Sequence, residues 1–381
     1  MTDFYAKITH NYLLVQLPFL VEVMMITISL CMIVKNEESV LERCLESIKD
    51  AADEIIILDT GSTDKTKEIA GRYTDMVYDF EWVNDFSAAR NKAYSKATKD
   101  YQMWLDADDV LPEKSLKQLL KLKNTLDPAV DIVTMKYITH FDEQNNPILT
   151  STRERLTKRS MGYLWLDPVH ECIPLVGNVF YTNIEIHHRQ EKREGVSYRN
   201  INIYENLEKS GSPLTPRQQY YYARELKDHG NWEKAAHYFE IFLESGKGWL
   251  EDNIATCYNL SICYRVLKKE EKILPILIKS FNYDTPRAEV CSELGYYYKR
   301  ALRYKQALDW FQVAANLAAP NSSGFILRDY WGYIPYIESC VCSCYLGDYK
   351  SAREYNEKAA AYKHTAAIDI NREFLASKLT K

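Results

Sequence analysis

The sequence predicts two dissimilar parts: an α/β domain on a mostly parallel sheet, then an all-α array of helical repeats. Three observations carry this. From residue 25 to about 207, short apolar runs alternate with helical periodicity. A breaker-rich segment follows, Ser210-Gly211-Ser212-Pro213-Leu214-Thr215-Pro216. Beyond it, aromatic-x-x-Ala-x-x-aromatic recurs three times on a helical background.

The bulk properties narrow the function. A chain of 381 residues has room for two domains or more. A formal net charge of −5 with both signs interspersed argues against a nucleic-acid partner held by a basic surface. Nine cysteines without a disulfide framework fit a reducing compartment, so the expected location is cytoplasmic. Cys340, Cys342 and Cys344 alternate, which splays them on a helix, and they read as small core residues. Residues 12–34 are rather apolar, but Gln16, Pro18 and Glu22 interrupt them, so no transmembrane segment is expected. The domain pattern begins at Met25, which leaves 1–24 as an N-terminal extension or a short helix packed on the domain.

Residues 26–34 (ITISLCMIV) read as a buried strand. Lys35-Asn36-Glu37-Glu38 follows, then Val40, Leu41, Cys44, Leu45 and Ile48 at helical spacing. Residues 54–58 (EIIIL) form the next strand. It ends in Asp59-Thr60-Gly61-Ser62-Thr63-Asp64, a turn rich in capping side chains before a helix over 65–73. A short strand over 76–78 precedes a helix over 85–97. A strand over 101–105, a helix over 112–126 and a strand over 131–137 complete the alternation.

The segment 101–109 (YQMWLDADD) ends in Asp106, Asp108 and Asp109. Asp terminates strands, and acids at a strand's carboxyl end lie at the mouth of an open α/β sheet. Clustered carboxylates suit a hard divalent cation, which in turn holds phosphates. The plainer alternative is a cap on the next helix. Asn36-Glu37, Asp59 and Asp106–Asp109 fall at the ends of three strands and would converge on one sheet edge.

Four motifs in order, Met32-Ile33-Val34-Lys35-Asn36-Glu37, Asp59-Thr60-Gly61-Ser62-Thr63-Asp64, Asp85-Phe86-Ser87-Ala88-Ala89-Arg90-Asn91 and Trp104-Leu105-Asp106-Ala107-Asp108-Asp109, resemble those of family 2 glycosyltransferases. The resemblance implies a GT-A fold over 25–209, a nucleotide-sugar donor (a UDP-sugar), Mg²⁺ or Mn²⁺, and an inverting transfer. It places Asp59 on the uracil or ribose, Asn36 and Glu37 along the base pocket, Asp106 toward the ribose and Asp108 on the metal. Arg90 would support the donor, through its phosphates or by holding Asp106.

Asp167-Pro168-Val169-His170-Glu171 offers two candidates, Glu171 and His170, for the base that deprotonates the acceptor. On a regular strand only one of these neighbours could face the acceptor. Of His187-His188, the resemblance favours His188 as a further metal ligand. Thr152-Arg153-Glu154-Arg155, Val169-His170-Glu171, Ile186-His187-His188 and Arg199-Asn200-Ile201-Asn202 resemble one branch, the bacterial peptide S-glycosyltransferases that modify bacteriocins. That branch carries a Gly-Tyr-like turn after the His, where this chain has Arg189-Gln190-Glu191.

Over 210–381, the three recurrences start at Trp232, Tyr304 and Tyr349. The first interval fits two repeats of about 34 residues, with a degenerate one between, and the second holds an insertion around 320–324. This resembles tetratricopeptide repeats, in which a small Ala lets paired helices approach. Such an array could hold a peptide or protein acceptor, brace the first domain, or form a homodimer. Tyr220-Tyr221-Tyr222 and Tyr296-Tyr297-Tyr298 read as repeat core. The expected function is glycosyl transfer to a peptide or protein. The alternatives are transfer to a polysaccharide or lipid-linked acceptor, a nucleotidyltransferase, and a non-catalytic scaffold.

Overall fold

In the computed structural model, residues 25–190, 197–211, 213–320 and 324–379 are described. The expected extension over 1–24 lies outside them. The apolar run that opens the domain becomes an inner strand, β1 (Ile28–Val34), buried at nearly every position. It pairs in parallel with β2 (Glu54–Asp59) and β4 (Tyr101–Trp104), and β3 (Val77–Asp79) extends the edge beyond β2. Helices α1 (Leu41–Ile48), α2 (Thr66–Ala70), α3 (Phe86–Tyr94) and α4 (Glu113–Lys123) fill the connections. α1 buries Leu41, Cys44, Leu45 and Ile48, the stripe its spacing predicts. α3 starts where the Asp85 side chain accepts from the Ala88 amide.

After β4 the simple alternation stops. β6 (Ile132–Phe141) and β7 (Pro147–Lys158) form a long hairpin, and β7 pairs antiparallel with β4. A hairpin needs only a tight turn, supplied here by Asn145 at φ 66° and by Asp142, which accepts the Asn146 amide. β8 (Val179–His188) runs parallel to β6, and its end pairs with the two-residue β5 (Asp109–Val110). The order is β3-β2-β1-β4-β7-β6-β8-β5, so β7 separates the parallel strands from the strand expected over 131–137.

The remainder is helical: α5 (Arg199–Lys209), α6 (Pro216–Asp228), α7 (Trp232–Ser245), α8 (Leu250–Val266), α9 (Glu270–Lys279), α10 (Ala288–Arg300), α11 (Tyr304–Ala315), α12 (Tyr333–Tyr345), α13 (Tyr349–Tyr362) and α14 (Ala366–Leu379). The three recurrences open α7, α11 and α13, and Ala235, Ala307 and Ala352 are fully buried in the seams. At Gly295 on α10, a Cβ would stand 2.7 Å from the Phe311 ring of α11, so that pair depends on glycine. α6 starts with a capping box, Thr215 with Gln218, and Pro216 in its first turn.

Apolar packing and a strand pairing are among the links that join the halves. Val169 is buried in the helical core with Tyr204, Tyr220 and Leu226, and Trp82 and Phe86 pack against that core. β9 (Ile326–Leu327), between α11 and α12, pairs antiparallel with β7. The insertion thus delivers a further strand to the sheet. No helix among the described residues is long and apolar enough to cross a membrane.

Candidate active site

The three acids after β4 part ways. Asp109 is fully buried. Its Oδ2 accepts from Arg155 Nη1 at 3.1 Å and the Asp106 amide at 3.1 Å, and its Oδ1 accepts from the Tyr137 hydroxyl at 2.9 Å. A charge taken fully out of water needs such partners. Arg155, also fully buried, lies over the rings of Trp104 at 3.6 Å and Tyr137 at 4.3 Å.

Asp108, half-buried, faces the end of β8, with Oδ1 3.1 Å from His188 Nδ1. The same nitrogen lies 3.3 Å from Asp109 Oδ1 and 3.0 Å from the Tyr137 hydroxyl. Burial works against a charge on His188, but hydrogen bonds to Asp108 and Asp109 outweigh it and raise its pKa to about 10. One ligand atom from each of Asp108, Asp109 and His188 lies within 4.8 Å of the others. Two carboxylate oxygens and an imidazole nitrogen make a donor set that fits a divalent cation.

Arg90, on α3, is 6% exposed and bridges two acids. Nη2 donates to Asp106 Oδ1 at 2.7 Å and Nε to Glu171 Oε1 at 2.6 Å. The rings of Trp104 and Trp165 flank the guanidinium at 4.8 and 4.9 Å. Burial disfavours charge on Asp106, yet the Arg90 guanidinium holds its carboxyl below the usual range.

The ends of β1 and β2 are tied together. Asn36, in the left-handed region at φ 54°, accepts the Thr63 amide on Oδ1 at 2.8 Å, and its own amide donates to Ser62 Oγ at 2.9 Å. The Glu37 amide donates to Thr66 Oγ1 at 2.7 Å. Asp59 is 1% exposed, and its Oδ1 accepts the amides of Gly61 and Ser62. Its Oδ2 is buried without a hydrogen-bond partner among the described residues. A buried acceptor of that kind calls for a donor, which a bound ligand can supply.

Residues 166–173 are not a strand; one bridge joins Leu166 and Cys172, and Asp167 and His170 have φ of 72° and 54°. The strand argument for His170 and Glu171 therefore does not apply, though the two still diverge. Glu171 meets Arg90, whereas His170 Nε2 lies 2.7 Å from Glu225 Oε1 on α6 and its ring stacks on Tyr221 at 4.5 Å. Tyr220 and Tyr222 are buried in the helical core, and Tyr221, partly buried against that core, also meets the His170 ring.

A cleft of ≈ 1170 Å³ separates β6–β8 from α6, α8 and α10. His170, His188, Arg153, Tyr221, Arg224 and Asp252 are among its walls. Arg189 lines it too, lies over the Phe141 ring at 3.6 Å, and donates its amide to the Asp108 carbonyl at 2.8 Å. It stands where the resemblance expects a Gly-Tyr-like turn, and Glu191 beyond it lies outside the described residues. Arg155 entered from the sequence only within the Thr152–Arg155 motif, with no role assigned, and Tyr137 and Glu225 were not singled out. The Arg153 and Arg155 spacing, which puts two cations over one Trp104 ring, was a signal for the first; Glu225 had none.

Residues 29–176 match the family model described as Glycosyl transferase family 2. The chain is 37% identical over 149 residues to a TPR repeat-containing protein of Synechococcus elongatus, covering 39% of this chain and 36% of that one. It is 27% identical over 284 residues to the SPbeta prophage-derived glycosyltransferase SunS of Bacillus subtilis, covering 71% of this chain and 65% of SunS. The chain therefore spans less than two thirds of either relative's length. Among solved structures, it aligns loosely, at TM-score 0.35 and 17% identity, with glucosyl-3-phosphoglycerate synthase from Mycobacterium tuberculosis in complex with Mn²⁺, UDP-glucose and phosphoglyceric acid. That alignment covers 50% of this chain and 82% of that one.

Proposed function

We propose that this chain, which carries a glycosyl transferase family 2 domain over residues 29–176, moves a sugar from a UDP-sugar to a peptide or protein side chain with inversion. One observation carries the reading. Asp59 with its unpartnered Oδ2, Asp106 braced by Arg90, and the Asp108–His188 pair follow or end β2, β4 and β8 at one end of the sheet. In this reading Asp59 accepts from the base or ribose of the donor, and the loops pinned by Asn36 and Glu37 wall the base. Asp106, fixed by Arg90, accepts from a ribose hydroxyl.

Asp108 and His188 would hold Mg²⁺ or Mn²⁺, with Asp109 anchoring both through Tyr137 and Arg155. A divalent ion there offsets charge on the diphosphate leaving group. His188 must release its proton to become a ligand. The acceptor enters from the cleft, whose far wall is the inner face of the repeat array. Its proton goes to His170, which lines that cleft, while Glu171 is committed to Arg90. With Nε2 held by Glu225, His170 presents Nδ1 as the base.

A lipid-linked or polysaccharide acceptor is the second reading. It is favoured by Leu164, Leu166, Leu175, Val176 and Phe180, which are exposed together along one stretch, with Leu175 also on the cleft wall. Calorimetric titration with UDP and Mn²⁺ tests the donor site. Wild type should bind, and Asp108→Ala should lose binding while its thermal unfolding stays cooperative. Absence of UDP binding by wild type with either Mg²⁺ or Mn²⁺ removes the reading. Transfer assays with an unstructured Cys- and Ser-containing peptide pool and with a lipid-linked sugar then separate the two acceptor classes.

A further inference from the structure

We propose that Glu225, on the first helix after the breaker-rich segment, is a positioning residue for the transfer. It fixes His170 and, with Arg217, the segment 167–173 that also carries Glu171. The kinetic part of this proposal rests on the glycosyltransferase reading; the structural part does not.

The segment cannot hold its own shape. It has a single β-bridge, Leu166 with Cys172, and two non-glycine residues in the left-handed region, Asp167 and His170. Such a conformation persists only when its surroundings impose it. On the sheet side there are four ties, one of them from the Ile173 amide to Glu154 Oε1 at 3.3 Å. The Phe86 amide donates to the Pro168 carbonyl at 2.8 Å, Arg90 pairs with Glu171 at 2.6 Å, and Arg153 Nη2 donates to the Glu171 carbonyl at 3.2 Å. The other side is gripped by α6. Arg217 Nη2 donates to the His170 carbonyl at 3.0 Å, and Arg217 Nε lies 3.2 Å from Asp167 Oδ2. Gln218 Nε2 donates to Asp167 Oδ1 at 2.9 Å. Glu225 Oε1 meets His170 Nε2 at 2.7 Å, and the same oxygen accepts from Asn200 Nδ2 at 2.9 Å, which anchors Glu225 to α5.

Among the described residues, Glu225 alone meets the His170 ring by a hydrogen bond. By accepting from Nε2 it sets the tautomer that leaves Nδ1 to take a proton. Its loss frees the ring and loosens the backbone on which Glu171 reaches Arg90. A displacement of about 1 Å in such a group can cost on the order of 100-fold in rate.

Two variants separate positioning from bulk structure. Glu225→Gln keeps an oxygen for His170 and Asn200, and Glu225→Leu keeps the approximate volume and removes the acceptor. The expected result is a fall in kcat of about 100-fold for Glu225→Leu and of less than about 10-fold for Glu225→Gln, with UDP affinity unchanged in both. Hydrogen–deuterium exchange gives a readout independent of activity. Amides over 166–173 should exchange at least about tenfold faster in Glu225→Leu than in wild type, with the β1 and β2 amides unchanged. Unaltered exchange over 166–173, a wild-type kcat in Glu225→Leu, or equal losses in both variants would overturn the proposal. If wild type fails to bind UDP, the donor reading falls, and the exchange comparison still decides whether Glu225 holds the segment.

Discussion

Asp108 and Asp109 are neighbours with opposite tasks. Asp109 lies out of water between Arg155 and Tyr137, whereas Asp108 is only half-buried and pairs with His188, which lines the cleft. Removing one partner of a buried pair strands the other, at a cost of about 3–5 kcal/mol. Arg155→Met should therefore destabilise the protein by that order, read as a drop in Tm. Asp108→Asn should change stability by about 1 kcal/mol or less while removing metal-dependent UDP binding. Equal Tm losses in the two variants would deny Asp109 its separate structural role. The places of Asp59 and Asp106 near the sheet mouth were legible in the sequence, because a polar residue that ends or follows a strand in an α/β pattern points there, whereas a role for Arg90, inside α3, came only from the family resemblance. What divides Asp108 from Asp109 was not legible. It depends on the two-residue β5, which sets Asp109 opposite His188 and is too short to leave a periodicity.

At the scale of elements, the repeat helices turn acids toward the cleft. Asp252, in the first turn of α8, is 5% exposed, and burial pushes its pKa up to about 6 against the pull of Arg217 and Arg224. Burial likewise raises Glu289 on α10 to about 7, and its Oε2 is buried without a partner. A carboxyl whose folded pKa is raised costs nothing below its unfolded value near 4, and costs progressively more as pH rises through the folded one. Asp252→Asn and Glu289→Gln should thus stabilise the protein at pH 8, each by up to about 3 kcal/mol, and give little gain at pH 4. A gain of the same size at both pH values would mean that charge is not the cause. The aromatic-x-x-Ala-x-x-aromatic pattern disclosed the seams between these helices, because packing dictates it. The wall they present was hidden, since nothing in one helix's periodicity says which neighbours lie across a cleft. β7 was obscured for a related reason, whereas the first part of β6 was expected as the strand over 131–137. Arg155 and Thr157 are buried in β7, which breaks the apolar alternation a strand is read from.

Over the whole molecule, the two halves share more than a linker. Val169 belongs to the helical core, Arg199 lies over the Phe86 ring at 4.5 Å, and β9 crosses from the repeat array to β7. Phe325, beside β9, rests on Arg224 of α6 at 4.4 Å, and both line the cleft. Halves coupled this way should unfold together, because melting the array would expose Val169, Trp82 and Phe86 and release the segment that carries His170 and Glu171. Scanning calorimetry of the full chain should therefore give one transition, with calorimetric and van't Hoff enthalpies in agreement. UDP with Mn²⁺ should raise that single Tm in proportion to the logarithm of ligand concentration, since a ligand that binds only the folded state stabilises whatever unfolds with its site. Two transitions, with only the one assigned to the sheet domain moving on UDP addition, would instead show an array that folds independently. The coupling of α6 to the site would then have to be sought in local order rather than in global stability.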